Sequence, residues 1–565
     1  MDAVPLLPGT VITGTFDLDS VEYDQPLRLP NAVFDGHVNL RDARIKRSVD
    51  FSGCRFEKNL NFCGARIGGS LQINEAIIQD IHQPGHLRTI DSADSDPSAQ
   101  FERLHVEGDF EAAGLDCRAT LSLSDARIGG QLFLSSNAGR RSMYGRNLLA
   151  HNIKVGGQVR IDGVRVKNEL NLQGADIAKD LFITCTTEHS TTIGSDAWLV
   201  GIDVKGQVHF SGTSIHKTLA LHNSDIKESI SFTPHHDSDD PSHYRQTRVG
   251  KLNMSNCRIG GNIDMRGLIA VGIEPHASSD VVNLMGVKAG GELRCDAWSS
   301  PEARATQEDP IPPKFNGAVN LRSLRVTAAE FDGRMCKESG PDLRMAEVGN
   351  LTIQQRLWRG ARLDGMQFRD LNLLDGDAAH AIELLKNTEP FQRSAYIAAE
   401  KHYRDRGEDE IANKIYIAMR MRNREKGMSW WQKPWDWFLG FSIKYGVAPH
   451  RVGIAIVGIL AITTLLFSTP PALAPLPTLA AKTARSATYG ERFWQAFRTT
   501  IPVVTIYSGG DWRPSSEPIT IRGIVFEAPS GWALRYDQYA SFVSVLSWIL
   551  VPLFLASVTG LVKRR

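Results

Sequence analysis

The sequence predicts a mainly β fold: a parallel β-helix with an 11-residue half-coil repeat, then a helical hairpin and a two-helix transmembrane domain. Three observations predict it. An 11-residue apolar period runs to about Asp375, glycine pairs punctuate that period, and two charge-free apolar stretches lie near the C-terminus.

The period is clearest from Val38 to Ile73. Apolar residues fall at Val38, Leu40, Ala43 and Ile45, then at Val49, Phe51, Cys54 and Phe56, then at Leu60, Phe62, Ala65 and Ile67. At about 100° per residue these offsets point around a helix without forming a stripe. As two short strands per unit, each turning its apolar side chains one way, the spacing works. The pattern returns at Phe110–Leu134, Val159–Ile183, Val208–Phe232, Leu252–Met265, Val282–Cys295 and Val319–Val326, and closes at Leu371 and Leu373. Glycine pairs stand between units at Gly68-Gly69, Gly129-Gly130, Gly156-Gly157, Gly260-Gly261 and Gly290-Gly291. They read as tight corners that need positive φ. Two units make one four-sided coil, and about eleven coils stacked at ~4.8 Å give a rod about 50 Å long.

The order along the chain follows. Residues 1–32, with four prolines, read as a cap over the first coil, because an open solenoid end exposes strand edges. The start, Met1–Thr10, has no basic stretch leading into an apolar run, so no cleaved signal peptide is expected. Residues 33–376 are the solenoid, with Asp-, Ser-, Pro-, His- and Gly-rich insertions at about 78–103, 135–149, 184–200, 233–249, 268–280 and 296–314. Loops on such a rod are the natural place for specific contacts. None of the seven cysteines forms a C-x-x-C pair, and Cys54, Cys117, Cys257 and Cys295 replace apolar repeat residues. They read as interior thiols of a reducing compartment.

Residues 377–428 change period. Helices at Phe391–Arg406 and Asp409–Lys426 bracket Gly407, and the pair resembles a single tetratricopeptide-like hairpin. Residues 429–565 read as a membrane domain. Residues 430–445, with Trp430, Trp431, Trp435 and Trp437, have the composition of an interfacial helix. Val447–Ser468 and Tyr539–Val562 are long enough to span a bilayer. Arg420, Arg422, Arg424, Lys426, Lys433, Lys444 and Arg451 precede the first span, and Lys563, Arg564 and Arg565 follow the second. The positive-inside rule then puts both termini in the cytosol and the 470–538 loop outside.

Between the spans, residues 491–512 could dip into the bilayer and return. Thr505, Ile506, Tyr507, Ser508, Gly509, Gly510 and Asp511 loosely resemble the filter of potassium channels, where backbone carbonyls replace an ion's hydration shell. The other reading is an interfacial helix over Arg492–Ile506. His235, His236, Asp237, Asp239, Asp240 and His243 form a metal-like cluster inside a loop, read here as solvated and not as a metal site. No phosphate loop or nucleophile elbow is present, and no cofactor or catalytic residue is expected. The net charge of +1 argues against a wholly basic nucleic-acid binder.

From Phe391 to the end the chain resembles a family of bacterial membrane proteins that join pentapeptide-like repeats to two spans. The resemblance rests on Tyr403-Arg404 before Gly407, Ile417-Ala-Met-Arg420, the Trp-rich entry, Lys444-Tyr-Gly-Val-Ala-Pro-His-Arg451 and Ile501-Pro-Val-Val-Thr505. Some members are labelled membrane-associated oxidoreductases, a label that no cofactor motif in this chain supports. The family implies topology, with localisation in a bacterial inner membrane. The expected function is a non-enzymatic scaffold or sensor that meets a protein partner through solenoid loops. The alternative is an oligomeric pore-loop ion channel, a tetramer, gated by its cytosolic solenoid.

Overall fold

The structure is a computed structural model. It describes residues 9–79, 99–236, 244–273, 280–299, 310–336, 340–354, 358–373, 378–388, 390–476, 486–501, 511–521, 524–525 and 534–559. The chain divides into two compact units, Met1–Ile415 and Tyr416–Arg565.

The first unit is a parallel β-solenoid. One coil runs through the strands Val38–Asn39, Arg44–Ile45, Val49–Asp50 and Arg55–Phe56. The next coil then places Leu60 under Val38 in parallel register. Each 11-residue unit therefore supplies two sides, stepping by alternately five and six residues. Among the described residues the strands assemble into two long sheets, of 25 and 22 strands. Backbone amides donate to the neighbouring coil, as Leu40 N does to the Asn61 carbonyl at 2.7 Å.

In the larger sheet the first side of the coil recurs fourteen times, from Glu22–Tyr23 to Gln367–Leu373. Fourteen rungs at ~4.8 Å make a rod of about 60 Å, longer than eleven coils allow. The difference has two sources. Residues 11–28, expected as a cap, already form four strands in register with the second coil. The insertions are also shorter than their composition suggests: Ala99–Gln100, Met143–Tyr144, Thr192–Ile193 and Ala197–Trp198 are rungs whose small or polar residues hide the period. Register resumes across each gap, as Leu60 over Ala99 and Leu121 over Leu148 show.

The apolar positions are buried, and their rings stack from coil to coil. Phe34 and Phe56 lie 5.1 Å apart at 8°, Phe62 and Phe101 5.2 Å at 9°, and Phe210 and Phe232 5.2 Å at 5°. In-register parallel pairing forces like upon like, so a single apolar position becomes a continuous interior column.

The glycine pairs do not have the positive φ expected of them. Positive φ sits instead at a different corner every 11 residues, at Asn31, Asp42, Gly53 and Gly64 (57°, 50°, 67° and 71°). What excludes a side chain at Gly129 and Gly156 is the neighbouring rung. A Cβ there would sit 2.3 Å from the Glu107 and Gly129 carbonyl oxygens respectively. The pairs mark close backbone approach, not a left-handed turn.

At the far end the strands lengthen to Arg325–Asp332, Glu347–Gln354 and Gln367–Leu373. Helices α1 (Ala378–Lys386) and α2 (Arg393–Asp405) follow, with Tyr396, Ala399 and Tyr403 of α2 buried. His402 Nδ1 lies 3.2 Å from the Arg369 carbonyl, beside the last strand. Helix α3 (Asp409–Lys426) crosses the boundary between units.

In the second unit, α4 (Lys433–Ile443) leads to α5 (His450–Phe467), α6 (Tyr489–Thr500) and α7 (Tyr536–Val558). Helices α5 and α7 are long and apolar enough to cross a membrane by length and composition. They pack through Val452 and Leu550, with Ile456, Ile459 and Phe554 beside them. Gly453 admits the Phe554 ring, which a Cβ would meet at 3.2 Å.

Candidate functional site

Three places bring polar groups together. The first surrounds α6. Thr488 and Glu491 close a capping box at its start, with Thr488 N donating to Glu491 at 2.8 Å. The guanidinium of Arg492 donates to the Ser468 carbonyl at the end of α5 and, through Nε at 3.1 Å, to Ala487. A cation at a helix C-terminus meets the negative end of its dipole. Ala496 is buried in a cluster with Leu466, Phe467, Tyr536 and Ala540, so α6 packs on both apolar helices. Hydroxyl pairs tie those two together: Thr463 with Tyr539 at 3.0 Å and Thr469 with Tyr536 at 2.7 Å.

Helix α6 stops at Thr500, short of the Arg492–Ile506 helix expected from sequence. Pro502 accounts for this, because the residue before a proline is driven from helical to extended backbone, and Ile501 has φ −118° and ψ 90°. Of the filter-like residues, Thr505, Ile506, Tyr507, Ser508, Gly509 and Gly510 lie outside the described residues. Asp511 is exposed, and its carbonyl accepts from Leu476 N at 2.8 Å. Beside it, Leu473–Pro475 pairs antiparallel with Trp512–Pro514, which brings the two ends of the inter-helix segment together. Arg498 Nε, Thr500 Oγ1 and Trp512 Nε1 are buried with no hydrogen-bond partner among the described residues.

The second place joins α3, α4 and the turn before α5. Asp436, almost fully buried, accepts from the Tyr445 hydroxyl at 2.9 Å, and Arg420 Nη2 lies 3.5 Å from its other oxygen. The Arg420 guanidinium sits 5.2 Å from the centre of the Tyr445 ring, within cation–π range. Burial, reinforced by the hydrogen bond to Asp436, pushes the Tyr445 phenol up to about 12. Lys444, Tyr445 and Gly446 all have positive φ (45°, 57° and 87°), and Gly440 leaves room for the phenol. Two left-handed non-glycine residues in succession are costly and persist only where packing holds them.

The third is a cleft of about 880 Å³ at the end of the solenoid, lined by Phe368, Asp370, Lys401, His402 and Arg406 among others. His402 is buried edge-on to Phe368 and Tyr403, with Nε2 3.6 Å from Asp370 Oδ1. Asp370 also pairs with Arg406 at 3.0 Å. Sequence reading missed both: the members of this cluster come from a strand and a helix more than 30 positions apart, and Arg420, Asp436 and Tyr445 sit on separate helices and a turn whose packing no local pattern encodes. The αL-prone Lys444-Tyr445-Gly446 carries no turn residue except its glycine.

Of the metal-like cluster, residues 237–243 lie outside the described residues, and His235–His236 pairs antiparallel with Tyr244–Arg245. Among the described residues no three His, Cys, Asp or Glu side chains converge as metal ligands. All seven cysteines are free thiols, with Cys54, Cys117, Cys185, Cys257 and Cys295 buried. Asp264 is largely buried and accepts from the Arg266 guanidinium through both oxygens.

These features define a class: a four-sided parallel β-solenoid joined to a helical unit that carries two helices apolar enough to cross a membrane. Residues 29–77 match the family described as Pentapeptide repeats (9 copies). Sides of five and six residues explain how an 11-residue step meets that family. No match to the chain was found among the curated proteins or among the solved structures.

Proposed function

We propose that this chain is a membrane-anchored, non-enzymatic scaffold or sensor of a bacterial inner membrane. Both termini are cytosolic, and a protein partner is bound through the solenoid loops. The observation that carries it is the succession of fourteen regular solenoid rungs by two helices of 18 and 23 residues with the hydropathy of membrane spans. The basic residues from Arg420 to Lys444 before α5, and Arg451 in its first turn, support the orientation. Native mass spectrometry of the nanodisc-embedded protein tests it: a monomer or dimer is expected.

One observation favours a second reading, an oligomeric pore-loop channel. Helix α6 is packed on both α5 and α7, the order of a short helix between two spans. Two spans cannot enclose a pore, so that reading requires a closed ring, a tetramer for choice. A discrete tetramer whose conductance is abolished by changes at Thr505, Tyr507 or Gly509 would replace the scaffold reading with it.

A further inference from the structure

One exposed ladder of the larger sheet carries a charge sequence that the core does not require. After Glu22, its outward residues stack in register as Arg44, Arg66, His105, Arg127 and Lys154, a line about 20 Å long at ~4.8 Å per rung that carries four cations, with His105 held by Glu107 at 2.9 Å. Beyond the acidic step Asp176, Asp203 and Asp225, the same ladder turns basic again at Arg258, Lys288 and Arg325.

The acidic step is largely neutralised within the solenoid, since Lys205 holds Asp203 and Lys227 holds Asp225 at 2.7 Å. Arg325 is likewise paired with Glu347 at 3.0 Å. Among the described residues, no carboxylate lies within ion-pair distance of Arg44, Arg66, Arg127, Lys154, Arg258 or Lys288. Directly stacked like charges oppose the fold. A trough of about 520 Å³ follows Arg44, Arg66, His105 and Arg127; Glu22 and Glu107 also line it, the first held by Lys46 at 3.7 Å and the second by His105 at 2.9 Å.

We infer that this ladder binds the anionic headgroups of a lipid bilayer. Arg44, Arg66, Arg127 and Lys154, with no carboxylate in ion-pair distance among the described residues, complement an anionic surface, and the apolar helices of the same chain hold the solenoid at high effective concentration beside one. Single-stranded nucleic acid is disfavoured, because such sites add open aromatic platforms to their cations. On the adjoining side, Phe133 of the Arg127 coil stands between Glu111 and Arg160 as a single ring, too little for a run of stacked bases, and on the next coils Phe182 stacks on His209 at 5.1 Å and 4° with Arg160 over Phe182 at 5.1 Å.

The inference rests on the membrane-anchored reading, and one experiment separates the two. The full chain is reconstituted into nanodiscs of phosphatidylcholine alone or with phosphatidylglycerol. Lysine acetylation by an N-hydroxysuccinimide ester is then quantified at Lys154 and Lys288. Lys167, which follows the Arg165–Val166 strand of the smaller sheet, is the internal reference. Anionic discs should protect Lys154 and Lys288 about fivefold relative to Lys167, and molar salt should remove the protection. The triple variants R44E/R66E/R127E and, as a milder check on folding, R44Q/R66Q/R127Q should lose it at Lys154. Failure to co-elute with discs would overturn the anchor itself. Co-elution with equal reactivity in both lipids would overturn the ladder's role alone. Protection by a single-stranded oligonucleotide and not by anionic lipid would assign the ladder to nucleic acid instead.

Discussion

The Tyr445 hydroxyl donates a 2.9 Å hydrogen bond to the buried carboxylate of Asp436, while Arg420 lies 5.2 Å from the same ring. One phenol thereby ties α3 and α4 to the left-handed turn that starts α5, and it does so from a backbone conformation that is unfavourable in isolation.

Tyr445→Phe should lower the stability of the helical unit by about 1–3 kcal/mol, because it keeps the ring and leaves a buried carboxylate oxygen unsatisfied. Asp436→Ala should cost more, since it strands the half-buried Arg420. Thermal unfolding of the detergent-solubilised protein reads both. Equal midpoints for wild type and Tyr445→Phe would show that the hydroxyl contributes nothing.

Two glycine substitutions separate the two kinds of solenoid corner. Gly201 has φ 65° and open space where a Cβ would stand, and asparagine holds the corresponding conformation at Asn31, Asn152 and Asn223. Gly201→Asn should therefore change stability by less than about 1 kcal/mol. Gly156→Ala, with an ordinary φ but a carbonyl 2.3 Å from its new Cβ, should cost several-fold more. Chemical denaturation measures both, and the reverse order would mean that φ, not rung spacing, limits the corner.

The interior thiols make stability fall in alkali. Burial pushes Cys54 up to about 12 and Cys185 and Cys257 to about 11. The unfolded chain loses these protons from its ordinary thiol pKa near 8.5 upward, while the folded chain retains them. The unfolded state then binds fewer protons, so stability is flat at neutral pH and declines between about pH 8.5 and 11–12, at up to about 1.4 kcal/mol per pH unit for each thiol. Denaturation midpoints at pH 7.5 and 10 for wild type and Cys257→Ala should converge as pH rises; a constant gap would contradict buried, protonated thiols.

Asp162, nearly buried on the solenoid, receives Arg160 Nε at 2.7 Å and Thr184 Oγ1 at 2.6 Å. Asp162→Ala removes the acceptor of both and should cost about 2–4 kcal/mol, whereas Asp162→Asn keeps one carbonyl acceptor and should cost less. Hydrogen exchange at Ile161–Ile183 would localise the loss to the coils that carry these residues.

The sequence alone determined the solenoid, because in-register stacking makes most inward positions apolar, with buried exceptions such as Thr191 and Thr213, and an 11-residue period cannot arise by accident over so many coils. It also determined two apolar segments of membrane-crossing length, a matter of composition. Tertiary structure decided what depends on rung-to-rung distance and on long separations in the chain. The glycine pairs proved to be places of backbone contact, which no local φ preference encodes. Weakly apolar rungs such as Ala99–Gln100 and Thr192–Ile193 became visible only once their neighbours fixed the register. The charge ladder from Arg44 to Lys154 is scattered in sequence and adjacent in space, because stacking brings residues 22 or more positions apart to within one strand spacing, and Arg420, Asp436 and Tyr445 meet only because a turn folds their helices together.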